Sequence, residues 1–193
     1  MVELLSLYNF IPSEHKQWFK SKTSLNTIKK GEFLLLDEEV QHQLFLVKQG
    51  ILMMYFDTDE KMQVIDFAYQ NRFCVDIDSF SSQEPSKFCI QAMNDCEVEC
   101  ISYEDLQHIF DQSPEIERAY RLLTERVLAA VLKKHLNRQI LNIQQRFFQV
   151  MEKQPELFKL VPHKYLASYI GIDPTNFSKL FKKHCTDNKL MFE

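Results

Sequence analysis

The chain has 193 residues, 45% of them hydrophobic, enough for one large or two small packed domains and too apolar for a disordered chain. Its formal net charge of -4 excludes a protein that coats nucleic acid with its whole surface. No run approaches the roughly 18 consecutive apolar residues of a membrane helix, and the start, Met1-Val-Glu-Leu-Leu5, lacks the basic region and long apolar stretch of a signal peptide, so a cytoplasmic protein with no membrane partner is expected.

Ser13 to Lys20, preceded by Pro12, reads as a short helix capped by Ser13. From Thr27 to about Ser102 the period changes to that of strands: Phe33-Leu-Leu-Leu36, Leu44 to Val47, Ile51 to Phe56, Met62 to Phe67, Phe88 to Ala92 and Val98 to Ile101. Short strands at such close spacing predict a β-barrel or sandwich. Of only three glycines, Gly31 opens the first strong strand, Gly50 separates two strands and Gly171 lies near the C-terminus; Asp57 to Lys61 reads as a polar hairpin connection.

Helical signals begin at Ser102, a predicted N-cap with Asp105 three residues on, and the helix runs to about Gln112. Ser113-Pro-Glu115 then starts a second helix in the preferred order of cap, proline and acid. Along it Ile116, Ala119/Tyr120, Leu123, Val127 and Ala130/Val131 form an apolar stripe that either lies on its own barrel or, the preferred reading, pairs with the same helix of a second subunit. The apolar face shifts from Leu136, which places a break near Asn137. Three units are therefore expected: residues 1–112, a dimerisation helix and linker over 113–137, and a C-terminal domain over 138–193.

Charge is unevenly divided. Residues 159–193 hold six lysines against Asp173, Asp187 and Glu193, a net +3 that leaves -7 on the rest. Within this basic piece, Val161 to His184 satisfies the demands of a helix-turn-helix. Pro162 suits a first turn, Ala167 is small where two helices cross, and Gly171 four residues on supplies the turn. Leu166, Ile170, Ile172, Phe177 and Leu180 form the shared core, and Asp173-Pro174 caps and opens the second helix, about Pro174 to His184. That helix turns outward Thr175, Asn176, Ser178, Lys179, Lys182 and Lys183, side chains suited to base edges and phosphates, with Lys164 added from the first helix. Double-stranded DNA is the predicted partner.

Five cysteines, with no C-x-x-C pair, give neither a disulfide framework nor a zinc ribbon; Cys96 and Cys100 face one side of a strand and read as structural thiols. No two of the six histidines (His15, His42, His108, His135, His163, His184) lie close in sequence, which weighs against a cupin-like metal enzyme. No nucleophile–base pair or phosphate loop is evident, so a non-enzyme without metal or cofactor is expected. A small-molecule or protein-binding barrel whose C-terminal hairpin only packs is the alternative function.

Four segments, in matching order and spacing over residues 25–185, carry a family resemblance: Lys30-Gly-Glu-Phe-Leu-Leu-Leu36, Leu46-Val-Lys-Gln-Gly-Ile51, Cys96-Glu-Val-Glu-Cys-Ile-Ser102 and Val161-Pro-His-Lys-Tyr-Leu-Ala-Ser-Tyr-Ile-Gly171. The chain resembles the Crp/Fnr transcription regulators, above all the short Bacteroidetes-type members. The resemblance implies an α+β chain: an N-terminal jelly-roll of cyclic nucleotide-binding type, a long dimerisation helix and a C-terminal helix-turn-helix domain. It implies a homodimer on DNA with RNA polymerase as a further partner. With only Cys185 to Glu193 after the recognition helix, no wing is expected.

Departures from the family pattern bear on mechanism. The run matching the phosphate-binding cassette of cyclic-AMP-dependent members, Val75 to Lys87, has no glycine and no arginine, and Asp76 and Asp78 repel phosphate; Lys87 lacks the arginine fork. Cyclic AMP is therefore not the expected effector. No cysteine precedes Cys74 to hold an iron–sulfur cluster, and His42, His108 and His135 are isolated, against haem sensing. The positions matching the family's base-reading residues are Pro174, Thr175 and Lys179, of which only Lys179 is basic. Either the protein is unregulated, or an effector of unidentified chemistry acts in a pocket around Phe80, Ser86, Lys87 and Phe88, from which it shifts the long helix.

Overall fold

A computed structural model describes residues 1–57 and 62–189; most of the predicted connection Asp57 to Lys61 lies outside the described residues. The chain opens with α1 (Val2–Leu5) and α2 (Ser13–Ser21), followed by strands β1 (Ser24–Ile28), β2 (Phe33–Leu35), β3 (Gln43–Gln49), β4 (Leu52–Asp57), β5 (Met62–Ala68) and β6 (Phe73–Cys74). A short α3 (Ile77–Ser82), β7 (Cys89–Ala92) and β8 (Cys96–Ser102) complete the β-rich part. Helices α4 (Tyr103–Gln112), α5 (Pro114–Ile140), α6 (Ile143–Lys153), α7 (Pro155–Leu160), α8 (His163–Ile170) and α9 (Pro174–Lys189) follow. None of the helices among the described residues is long and apolar enough to cross a membrane.

The strands form two antiparallel four-stranded sheets, ordered β1-β8-β3-β6 and β2-β7-β4-β5, which resolves the choice between barrel and sandwich as a double-sheet jelly-roll. Leu35, Phe45, Val47, Leu52, Ile90, Val98 and Cys100 fill the space between the sheets. Cys96, Val98 and Cys100 point inward from β8 as its period of two demands, and burial pushes the Cys100 thiol up to about 11 and the Cys74 thiol higher still. These are packing thiols. Gly50, between β3 and β4, has φ +91°, and a Cβ there would lie 2.7 Å from the Asp95 carbonyl oxygen and 2.9 Å from Cys96 Cα, so no side chain fits.

The caps show where local signals suffice. Ser102 accepts from the Asp105 amide at 3.0 Å and Ser113 from the Ile116 amide at 3.3 Å, as expected for α4 and α5. Ser13, by contrast, is the first helical residue of α2; the cap position is Pro12, with no side-chain hydrogen bond. The long helix continues through Asn137 to Ile140. It stops where Leu141 turns extended (φ -81°, ψ 136°) and Asn142 opens α6 through a reciprocal capping box with Gln145. Leu136 and Ile140 lie within α5, so the shift in apolar face does not mark a helix end.

The stripe on α5 divides. Ile116 and Ala119 are buried with Leu106 and Ile109 of α4 and Leu44 and Leu46 of β3, against the chain's own jelly-roll. From Val127 the apolar row is uncovered, and Val127, Leu128, Val131, Leu132, Leu136 and Ile140 are each at least half exposed.

Candidate DNA-reading site

The C-terminal helices are built around aromatic rings. Phe147 of α6 is fully buried, with ring centroids of Phe158 on α7 at 5.6 Å and Phe177 on α9 at 5.3 Å, both edge-on. Leu166, Ala167, Ile170 and Ile172 of the α8 turn region close the same core. Ala167 is fully buried, as close helix crossing requires. Gly171 takes φ +74°; its amide and that of Ile172 both donate to the Ala167 carbonyl at 3.0 Å, a left-handed helix stop that turns the chain directly into α9. A Cβ at Gly171 would meet only the end of Arg146 at 3.2 Å, so the backbone angle, more than space, calls for glycine.

Asp173 caps α9: its Oδ1 accepts from the Thr175 amide at 2.7 Å and the Asn176 amide at 3.3 Å. The Thr175 amide, foremost among these contacts, holds the Asp173 carboxyl below the ordinary aspartate range, with Lys179 adding to the effect. Phe177 anchors the helix inward while Thr175, Asn176, Ser178, Lys179, Lys182 and Lys183 are exposed on its other side. Ser178 donates back to the Pro174 carbonyl at 2.9 Å, so part of its hydrogen-bonding capacity is spent within the helix. Lys164 is exposed on α8, its Nζ 4.6 Å from the Tyr165 ring centre.

The residues placed around the expected effector pocket take different neighbours. Phe80 is buried edge-on to Tyr103 and packs with the α4 cluster, whereas Phe88 lies 4.2 Å from the Phe56 ring. Ser86 is buried and donates to Asp76 Oδ2 at 2.6 Å; Lys87 is exposed. Asp76 itself is buried and caps α3, its Oδ1 accepting from the Asp78 amide at 3.2 Å. Gln41 and Ser79 tie the same segment together, Gln41 Oε1 accepting from the Asp76 amide at 2.7 Å and Ser79 Oγ from the Gln41 amide at 3.0 Å. A carboxylate thus stands at the start of the helix in the segment that matches the cassette.

One arrangement had no signal in the sequence. The edge strand β5 is covered by α8: Ser168 Oγ accepts from the Val64 amide at 2.9 Å, and the Ser168 carbonyl accepts from Gln63 Nε2 at 2.9 Å. A register shift at Met54/Tyr55 leaves Ile65 without a partner on β4, and its carbonyl accepts from Lys134 Nζ of α5 at 3.1 Å. Lys134 also pairs with Asp66 at 3.2 Å and lies 4.4 Å from the Tyr169 ring centre, while Arg138 donates to the Tyr169 carbonyl at 2.9 Å. Sheet edge, long helix and α8 therefore meet at one seam.

Among known proteins, residues 25–113 match the cyclic nucleotide-binding domain. No curated protein sequence matches the chain significantly. Similar solved structures include the c-di-GMP-responsive global regulator CLP of Xanthomonas campestris, with 18% identity over 92% of this chain and 93% of that one at TM-score 0.69. FixK2 of Bradyrhizobium japonicum has 13% identity over 86% of each chain at TM-score 0.74. A structure described as a putative regulator of the Crp/Fnr family from Eubacterium rectale has 17% identity over 96% of this chain and 88% of that one, at TM-score 0.69.

Proposed function

We propose that this chain, which has the fold of the Crp/Fnr regulators and carries a cyclic nucleotide-binding domain over residues 25–113, is a DNA-binding transcription regulator that acts as a homodimer. The observation that carries the reading is α9: a helix capped by Asp173 and held from behind by Phe177, with Thr175, Asn176 and Lys179 exposed near its N-terminal half, the part that enters a major groove. The labour divides along the chain, with residues 1–112 sensing, 113–137 pairing two subunits and 138–193 reading DNA; RNA polymerase is a further partner of the assembled dimer. The exposed row on α5 supplies the pairing surface. Two such helices crossing through Leu128, Leu132 and Leu136 bury in the dimer what each subunit alone leaves in water.

The reading makes the protein independent of cyclic AMP. A cyclic phosphate would need cationic and amide donors at the cassette; Asp76 fills that place with a buried carboxylate already satisfied by Asp78 and Ser86. The protein is not an enzyme on this reading: it binds and positions.

Selection of a binding site from random duplexes, followed by titration against salt, tests the proposal. A dimer gripping phosphates gives a palindromic site and log K falling with log salt by about 0.9 per neutralised phosphate. A flat salt response with no selected site overturns it in favour of a barrel that binds other ligands. Adding cyclic AMP leaves the affinity unchanged.

A further inference from the structure

A cavity of about 50 Å³ lies between the N-terminal segment and the first turns of α5, away from both α9 and the Asp76 network. Its wall is almost entirely apolar, with Leu44, Phe110, Ala119 and Leu123 among the lining residues. The segment that covers it is fastened to the sheet by the terminal amino group of Met1 on Glu99 and by Glu3 on Lys48 at 2.8 Å.

Two polar features set it apart from a packing gap. Tyr8 lines the cavity and is only 8% exposed, yet among the described residues its hydroxyl has no hydrogen-bond partner. A buried hydroxyl is nearly always paired, so the group that satisfies this one is to be sought. Arg126 lines the same cavity, its guanidinium over the Tyr8 ring at 5.6 Å from the ring centre and its side chain exposed, so a cation stands at the solvent side of the same tyrosine. An apolar hollow, an unpaired hydroxyl and a guanidinium together match a molecule with a short apolar end and an anionic head.

We propose that this cavity binds a short-chain aliphatic carboxylate, its alkyl end among Phe110, Ala119 and Leu123 and its carboxylate shared between the Tyr8 hydroxyl and Arg126. The enclosed space is about a third of the ~150 Å³ void that admits benzene, which sets the alkyl end at about two to four carbons. Ala119, Leu123 and Arg126 are successive turns of α5, the helix that continues into the exposed row at Leu128 and Leu132. Occupancy is therefore felt on the helix that the proposed dimer uses; that consequence rests on the dimer reading, whereas the binding itself does not.

The test is a titration of the full chain, without DNA, by sodium acetate, propionate, butyrate and octanoate at constant ionic strength, followed through the methyl resonances of Ala119 and Leu123, with sodium chloride as control. Propionate and butyrate should give saturable shifts with Kd on the order of a millimolar, as befits so few contacting atoms, and octanoate should bind more weakly than either. Tyr8→Phe should weaken butyrate about threefold to tenfold while leaving the ligand-free thermal midpoint unchanged or higher, since it deletes an unpaired group. Arg126→Gln, at an exposed position that folding tolerates, should weaken butyrate and leave the response to butan-1-ol intact. Shifts no different from chloride, or wild-type butyrate affinity in both variants, would overturn the proposal. With no DNA present, the outcome stands apart from the DNA-binding reading.

Discussion

Asp173 and Lys179 have different roles at the start of α9 in the proposed DNA-reading site. Asp173 uses its carboxylate on the α9 amides, so its contribution is to the helix and not to DNA. Its pKa lies below the unfolded value of about 3.9, so its stabilisation is fully present above that value and is lost as pH falls through the lowered one. Asp173→Ala should lower the thermal midpoint at neutral pH, and the gap between variant and wild type should close as the pH is taken below the ordinary aspartate range. A gap that persists in acid would mean that the carboxylate is not the cap. Lys179, exposed one turn further on, should behave oppositely. Lys179→Ala should leave folding alone but cost about 1–3 kcal/mol of specific binding and relax the preference at one base pair, read from competition with single-base variants of the selected site. Unchanged affinity would remove Lys179 from the interface.

At the level of elements, the contrast between α5 and α9 explains what could be read from the sequence. The pair α8 and α9 with its tight turn was legible because its signals are local: Ala167, Gly171 and Asp173 each meet a steric or capping need within a few residues. The strands with continuous apolar runs, β2 to β5, β7 and β8, were legible for the same reason. The pieces that were not, β6, α3 and α7, are short and held by neighbours, and β1, with its largely exposed Ser24-Leu-Asn-Thr-Ile28, draws its order from the β8 ladder. The stripe on α5 was seen as one surface, yet its two halves face different things, because periodicity records a face and not who covers it. Leu132→Glu should therefore leave the monomer fold intact, since the residue is 55% exposed, while shifting sedimentation from dimer to monomer at micromolar concentration. A dimer that survives the charge would place the interface elsewhere. Phe147→Ala is the converse case: it empties the centre of the C-terminal core and should destabilise it by about 3–5 kcal/mol, with loss of DNA binding following from loss of structure.

Across the whole molecule, the placement of α9 is governed by the seam between β5 and α8. An edge strand with free backbone groups invites a partner, and here it is covered by α8. In the proposed dimer the two α9 helices must lie about 34 Å apart to enter successive major grooves, so on that proposal whatever fixes α8 on the sheet also sets the spacing. Lys134 and Arg138 extend the seam onto α5, which gives the jelly-roll and the long helix a common hold on the C-terminal helices. Ser168→Ala deletes the acceptor of the Val64 amide, and Lys134→Met keeps the length of the side chain while deleting its contacts with Asp66 and Ile65. Both should speed amide exchange at Val64 while leaving the β3 and β8 amides of the other sheet at their wild-type rates, because α8 would lift from the edge without unfolding the jelly-roll. If the seam sets the spacing, both variants also change operator affinity with an unchanged salt slope, since the proposed phosphate contacts on α9 are untouched. Faster exchange at Val64 with wild-type operator affinity would show that α8 detaches without consequence, and the control of spacing would then belong to α5 alone.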